Sequence, residues 1–254
     1  MKLVKSLGVK YKEVISLVGG GGKTTLMFAL AKEFSLKYPG VITTTTTKIL
    51  EPSSTETEEL ILETDQDRLV EIVERKITGH RVITVASELA SGKLRGVSPE
   101  TVDRLIALNG VSCVIVEADG AAQKPIKAPN DTEPVFPGVT TLAIPVIGVD
   151  AIGKTVKDIV FRPEIACSLL GVTGDTVVTP RVVADLLAHS RGILKGCPPS
   201  ARVIPFINKM DLDPDRIVGG QIALEIISHR IPEVKMVVLG QANRLESHII
   251  SVYI

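Results

Sequence analysis

The chain has 254 residues, 44% of them hydrophobic, enough for one large α/β domain or two small ones with a sizeable core; a single domain over 1–254 is expected. Lys+Arg and Asp+Glu both number 29, so the basic excess that accompanies broad nucleic-acid binding is missing, and an aromatic share of 3% without Trp argues against stacking platforms for single strands. No apolar run reaches the ~18 residues of a membrane span, and Met1-Lys2-Leu3-Val4-Lys5-Ser6 lacks the core of a signal peptide, so the expectation is a cytoplasmic protein with neither nucleic-acid nor membrane partners.

The first element is Val14-Ile15-Ser16-Leu17-Val18, which empties into Gly19-Gly20-Gly21-Gly22-Lys23-Thr24-Thr25. It predicts a strand, a phosphate-binding loop and a helix. Glycine accepts positive φ and has no Cβ, so successive backbone N–H groups can converge on one anion, and the helix N-terminus adds its own. On this reading Lys23 reaches the β- and γ-phosphates and the Thr24 hydroxyl ligates Mg²⁺. The longer phosphate-loop pattern needs a glycine where this chain has Leu17; what fits is a shortened Gly-x-x-Gly-Lys-Thr over 19–24, similar to that of Mur-type peptide ligases. A flexible strand-to-helix turn is the plain alternative, but such a turn seldom needs four glycines followed by Lys-Thr-Thr.

Leu26, Ala29, Leu30 and Phe34 follow at helical spacing to about Lys37, and Tyr38-Pro39-Gly40 stops the helix. Val41-Ile42 leads into five threonines over 43–47. This β-branched run reads either as a plain strand end or as one whose hydroxyls, Thr45 among them, turn to Mg²⁺ or the γ-phosphate. Residues 51–59 read as an acidic solvated loop. A short strand at Leu60-Ile61-Leu62 comes next, then a helix carrying Leu69, Ile72, Val73 and Ile77 and a buried strand over Val82–Ala86. Residues 92–96 predict an exposed turn. Ser98-Pro99-Glu100 opens a helix that ends at Asn109-Gly110.

Cys113-Val114-Ile115-Val116-Glu117-Ala118-Asp119-Gly120 is a continuous apolar run ending in carboxylates, the pattern of a parallel strand with a metal-ligating tip. Either Glu117 or Asp119 can hold Mg²⁺, directly or through water, or position a nucleophile. A strand that simply ends in a polar turn is the alternative. Residues 121–134 are proline-rich and aperiodic, and so long an irregular segment inside a compact domain is more often functional than idle. There Lys124 and Lys127 are candidates to meet an anionic substrate or transition state, and Glu133 to act as ligand or base; a charged, solvated loop is the alternative. Leu142-Ala143-Ile144-Pro145-Val146-Ile147 predicts a strand placed at an edge or bulge, because Pro145 has no ladder donor. Residues 154–194 read as mostly helical, with starts at Pro163-Glu164 and Thr179-Pro180; Arg162 faces either the site or a surface partner. The isolated His80, His189, His229 and His248 and the widely spaced Cys113, Cys167 and Cys197 predict no zinc site and no disulfide, only mostly buried thiols.

Phe206-Ile207-Asn208-Lys209-Met210-Asp211 is a strand end followed by Asn-Lys-x-Asp, which resembles the guanine-reading motif of P-loop GTPases. The Asp211 carboxylate can accept from the guanine N1–H and exocyclic amine together, a pattern adenine does not supply; Asn208 approaches the other edge and the Lys209 stem packs on the base. GTP is therefore expected ahead of ATP. Asp211-Leu212-Asp213-Pro214 also suits a helix cap. A helix over 214–231 and a strand over 234–240 follow, with Gly240, Gln241 and Asn243 as candidates to close over the base.

With these motifs in this order the chain resembles, over almost its full length, the YqeC family, described as accessory to selenium-dependent molybdenum hydroxylases. The resemblance rests on residues 19–25 and 43–48, Glu117-Ala118-Asp119-Gly120, Lys127-Ala128-Pro129, Glu133-Pro134, Arg162-Pro163-Glu164 and Asn208-Lys209-Met210-Asp211. Ala121-Ala122-Gln123-Lys124 departs from the glycine and basic residue that typically follow the Asp-Gly. What the resemblance implies is a role in maturing such a hydroxylase or its labile cofactor, with the hydroxylase or a maturation client as partner.

The combined expectation is a three-layer P-loop NTPase-like α/β domain with a mostly parallel central sheet, binding Mg²⁺ and GTP (or ATP). Catalysis is assigned to Lys23, Glu117, Asp119 and Lys127. Nucleotide binding is assigned to Gly19, Gly20, Gly21, Gly22, Lys23, Thr24, Thr25, Asn208, Lys209 and Asp211, and Mg²⁺ to Thr24, Thr45, Glu117 and Asp119. Three activities fit: NTP hydrolysis coupled to a client, Mur-ligase-like or kinase-like activation of a small anionic substrate, and a nucleotide-binding scaffold without turnover. A homodimer across the nucleotide is compatible with the class.

Overall fold

In the computed structural model, which describes residues 3–242 and 250–253, the apolar runs align into one sheet. In chain order its strands are β1 (Glu13–Gly19), β2 (Val41–Thr45), β3 (Glu59–Leu62), β4 (Val82–Ala86), β5 (Cys113–Glu117), β6 (Leu142–Gly148), β7 (Phe206–Asn208), β8 (Met236–Leu239) and β9 (Ile250–Tyr253). With the two-residue strand Arg202–Val203 beside β6 they form a ten-stranded sheet in the order β9-β8-β7-β6-β1-β5-β2-β4-β3. The described pairs are parallel except β8 with β9. β1, β5 and β6 are buried along their whole length, which is why their sequences run apolar instead of alternating. The fold is thus the expected α/β class, extended by β9.

The pleat sends alternate residues to opposite cores. Ile15, Leu17, Ile115 and Ile144 meet Leu26, Met27, Leu30 and Phe34 of α1 (Lys23–Ser35) on one face. On the other face, Val14, Ile42, Val114 and Val116 pack with Leu69 and Val73 of α2 (Gln66–Lys76) and Val102 and Leu105 of α3 (Pro99–Ala107). Val18, Ala143, Ile147 and Ile207 complete that face with Ala166 of α4 (Pro163–Leu170), Leu186 of α5 (Pro180–Ala188) and Ile222 of α6 (Ile217–Ser228). Asp65, Ser98 and Thr179 cap α2, α3 and α5 by accepting from first-turn N–H groups. α6 starts at Ile217 and not at 214, because Asp213 is drawn inward to accept from Gly219 N at 2.7 Å.

Two expectations are corrected. The strand with Pro145 is no edge: β6 lies between β1 and β7. Its ladder toward Arg202–Val203 and β7 stops after Ala143↔Val203 and resumes at Val146↔Phe206 with the same offset. Pro145 therefore sits in register with Pro205, in the one gap of that ladder, so its missing N–H falls where pairing is already broken. Residues 92–96, predicted as a turn alone, belong to a hairpin of Glu88–Ala90 and Lys93–Arg95, closed at Ser91 (φ 52) and Gly92 (φ 71), the two successive positive φ values of a tight hairpin turn. Lys48–Leu50 pairs with Lys93–Arg95, making a separate three-stranded antiparallel sheet.

Among the thiols, Cys113 is buried, while Cys167 and Cys197 are half-buried, and all three are free. Among the described residues no helix is long and apolar enough to cross a membrane. The chain leaves β1 toward β2, β3 and β4 on one side and later builds β6, β7 and β8 on the other. This reversal leaves a crevice outside the carboxyl end of β1.

Candidate functional site

The loop between β1 and α1 fills that crevice. Gly22 caps α1 at φ 108, a left-handed conformation that side chains resist, and a Cβ on Gly20 would stand 2.5 Å from the carbonyl oxygen of Lys124. Gly20 N and Gly21 N donate to the carbonyls of Val146 and Lys124, both at 2.9 Å. The N–H groups of Lys23, Thr24 and Thr25, the first turn of α1, have no intrahelical acceptor, and Gly22 offers no capping side chain. They border an open cleft, with the positive end of the helix dipole behind them.

Beneath the loop, charges of alternating sign run in a chain. Lys23 Nζ lies 3.0 Å from Asp119 Oδ1 and 3.6 Å from Glu117 Oε1, and donates to Gly19 O at 2.7 Å. Asp119 Oδ2 accepts from Gly19 N at 3.0 Å and stands 3.2 Å from Lys127 Nζ. Lys127, with a side chain 0% exposed, donates to Gly120 O at 2.6 Å and to Glu133 Oε2 at 2.8 Å. The same Glu133 oxygen takes Arg162 Nη1 at 2.8 Å, and the Phe161 ring lies beside both cations. Three cations thus balance three carboxylates. Burial alone would lower the Lys23 pKa, but Asp119 and Glu117 outweigh it and hold the ammonium above its ordinary value. Burial raises the Glu117 pKa, and Lys23 and Thr24 offset this only in part. Burial also pushes Glu133 upward, yet hydrogen bonds from Lys127 and Arg162 prevail and keep it below the usual carboxylate value.

Thr24 Oγ1 donates to Glu117 Oε2 at 2.7 Å, so two hard oxygen ligands meet at the cleft floor. Among the described residues no three His, Cys, Asp or Glu side chains converge as a metal cage. A donor set this sparse suits Mg²⁺, which takes one or two carboxylates and fills its octahedron with water and phosphate oxygens. Asp119, though predicted beside Glu117 as a ligand, is committed to the two lysines and to Gly19 N. Thr45 does not reach the cleft: its register opposite Glu117 turns its hydroxyl onto the Glu117 carbonyl at 2.7 Å, and Thr46 and Thr47 border the cleft instead.

The cleft has a volume of about 960 Å³ and is bordered by the loop, Glu117, Glu133 and the cations Lys48, Lys93, Arg95, Lys124, Arg162 and Lys209. Lys127, predicted to meet substrate, lies behind it. Arg162 does face it, from a left-handed position (φ 62) at the start of α4. Of the Asn-Lys-x-Asp residues, Lys209 borders the cleft with its Nζ 2.8 Å from Asp150, and Asp211 is exposed. Asn208 is buried with both ends of its amide taken, Nδ2 by Gly21 O at 2.7 Å and Oδ1 by Ala242 N at 2.9 Å, so it joins two loops. Gly240 N is bonded to Ile207 O and Gln241 is half-buried; Asn243 lies outside the described residues. Lys48, Lys93 and Arg95 carry no sequence assignment, although the period-two patterns Lys48-Ile49-Leu50 and Lys93-Leu94-Arg95 hold the signal that would have found them.

The profile of the family described as "YqeC protein" matches residues 15–164, which include the phosphate loop, both carboxylates, Lys127, Glu133 and Arg162. Over 238 residues the chain is 29% identical to a protein of Escherichia coli (strain K12) named "Uncharacterized protein YqeC", covering 90% of this chain and 89% of that one. No solved structure matches.

Proposed function

The chain belongs to the YqeC family, and from that premise we propose that it binds a Mg²⁺-nucleoside triphosphate across Gly19–Thr25 and acts on the γ-phosphoryl group. The observation that carries this reading is the uncapped first turn of α1 opening onto a cationic cleft, with Lys23 and the Thr24–Glu117 pair at its floor. Lys23 exchanges its two carboxylates for phosphate oxygens, and the N–H groups of residues 23–25 hold the charge that develops there. That exchange leaves Glu117 without its cation, and Thr24 and Glu117 are the residues that would hold Mg²⁺. Mg²⁺, when bound, adds positive charge against the phosphate oxygens. Asp119 keeps Gly19 N and Lys127 and so fixes the loop while Lys23 moves. Lys209 at the cleft border and Asp211, exposed and outside the cleft lining, are assigned to the base by the motif alone, which favours GTP over ATP. Hydrolysis in the service of a selenium-dependent molybdenum hydroxylase or its labile cofactor is the role that the family resemblance suggests. A second reading, transfer of the phosphoryl group to a small anionic acceptor, is favoured by the cations on the far side of the cleft.

Calorimetric titration with GTP and ATP, each with and without Mg²⁺, tests this. The expected result is Mg²⁺-dependent GTP binding, weakened about 100-fold in Lys23→Ala, the loss of a charged partner worth about 3 kcal/mol. Asp211→Ala is expected to weaken GTP by about tenfold and leave ATP unchanged. Equal binding of both nucleotides, indifferent to Asp211, removes the guanine preference; no binding of either removes the reading. Binding without phosphate release, even with an added hydroxylase client, leaves a scaffold in place of an NTPase.

A further inference from the structure

We propose that the outer face of the small antiparallel sheet is a second subsite of the cleft, holding the phosphate group of a phosphorylated small molecule. This rests on the nucleotide reading above, whose ligand would fill the other part.

On that face Lys48 stands directly opposite Arg95, and Leu50 opposite Lys93, across one pair of strands. Glu88 lies on the far side of Arg95, 3.2 Å from its Nη1. Three cations and one carboxylate therefore share a surface on which cross-strand neighbours are about 5 Å apart and diagonal ones about 7–8 Å. Like charges set directly opposite one another destabilise a sheet, and an anion bound between them removes that cost. The other cations bordering the cleft have partners: Lys209 has Asp150, Arg162 has Glu133, and Lys124 donates to Asp158 O at 2.5 Å. Among the described residues, no carboxylate lies within ion-pair distance of Lys48 or Lys93.

The face is also held in place. Ile49 and Leu94, pointing the other way, are 3% and 0% exposed in the core under α1. Gly96 N and Val97 N donate to the carbonyls of Thr47 and Thr45 at 2.9 and 3.0 Å, so the hairpin is tied to the tip of β2. Topology separates the two parts of the cleft. From β1 the order runs through β6 to β7, which leads to Lys209, and in the other direction through β5 and β2 to β4, which lead to Lys48 and the hairpin. The base and the second anion thus lie on opposite sides of the phosphate loop, with the γ-phosphoryl position between them. Leu50, 55% exposed beside Lys93, offers an apolar edge to the organic part of the ligand. A dianionic phosphate ester matches two unpartnered lysines and an arginine better than a single carboxylate does.

The test uses the full chain saturated with Mg²⁺ and a non-hydrolysable GTP analogue, titrated with inorganic phosphate. Saturable binding of one equivalent is expected, about tenfold weaker in the double variant Lys48→Gln/Lys93→Gln, with the affinity for the analogue changed less than twofold. Both lysines are exposed, and an unchanged urea midpoint confirms that the variant folds. No saturable phosphate binding by the parent protein, or equal binding by the variant, overturns the subsite; loss of an acidic protein partner in the variant with phosphate unaffected does the same. Failure of the analogue to bind is read separately, as failure of the nucleotide reading. In that event the phosphate titration on Lys23→Ala, which lacks the loop's own cation, still decides the subsite by its dependence on Lys48 and Lys93.

Discussion

Lys127 is a charge enclosed by protein, shared by the oxygens of Asp119, Gly120 and Glu133. Removing it leaves the buried Asp119 carboxylate under the loop and the partly buried Glu133 on Arg162 without the cation between them. Lys127→Met, close in volume, is expected to cost about 3–5 kcal/mol, read as a fall in stability in urea at pH 7. The sign of its pH dependence follows from Glu133, whose folded-state pKa is lowered. The stability it contributes is complete above the unfolded carboxylate pKa, about 4.3, and is lost as the pH falls through the folded value. With Lys127 gone that depression shrinks, so the variant's stability should fall less than the parent's on acidification below about pH 4.3. Parallel curves for the two proteins would mean that Glu133 is held by Arg162 alone. The sequence marks Lys127 only as a loop cation, either meeting an anionic substrate or solvated; its enclosure was not legible, because Asp119, Gly120 and Glu133 surround it only in the folded chain. The glycine run and Lys23-Thr24-Thr25 were legible, because backbone conformation and helix start are local properties.

At the scale of elements, the small sheet shows where local patterns run out. Its strands are three residues long, and the partner of Lys93–Arg95 lies far back in the chain at Lys48–Leu50. No window around residues 92–96 contains both. Pro145 is the same problem in another form, since its place inside the sheet depends on Pro205 standing beside it. Caps are local, and Ser98-Pro99 and Thr179-Pro180 open helices as the sequence predicts. Gly96 fixes the hairpin: a Cβ there would lie 2.0 Å from the Thr45 carbonyl oxygen. Gly96→Val is therefore expected to lower stability by about 1–3 kcal/mol, measured by urea unfolding. A loss below about 0.5 kcal/mol would show that the hairpin yields freely, as an ordinary surface position does.

At the scale of the molecule, equal numbers of acidic and basic side chains conceal a local separation, with cations gathered around one cleft in a chain of no net charge. The cleft is assembled from both halves of the sheet, so its outline came from topology, and the class of fold was readable from the alternation of buried runs and amphipathic helices. Asn208 adds a connection that no motif announces, since one amide group holds Gly21 O and Ala242 N together. A ligand that steadies Gly21 is expected to steady Ala242 through this amide, and by reciprocity whatever steadies Ala242 then tightens the ligand by the same factor. The deuterium uptake of the Ala242 amide should slow at least several-fold when nucleotide saturates the protein, and Asn208→Ala should abolish the difference. The Ala242 backbone would then be a gauge of whether the phosphate loop is full, readable by a protein that never touches the nucleotide.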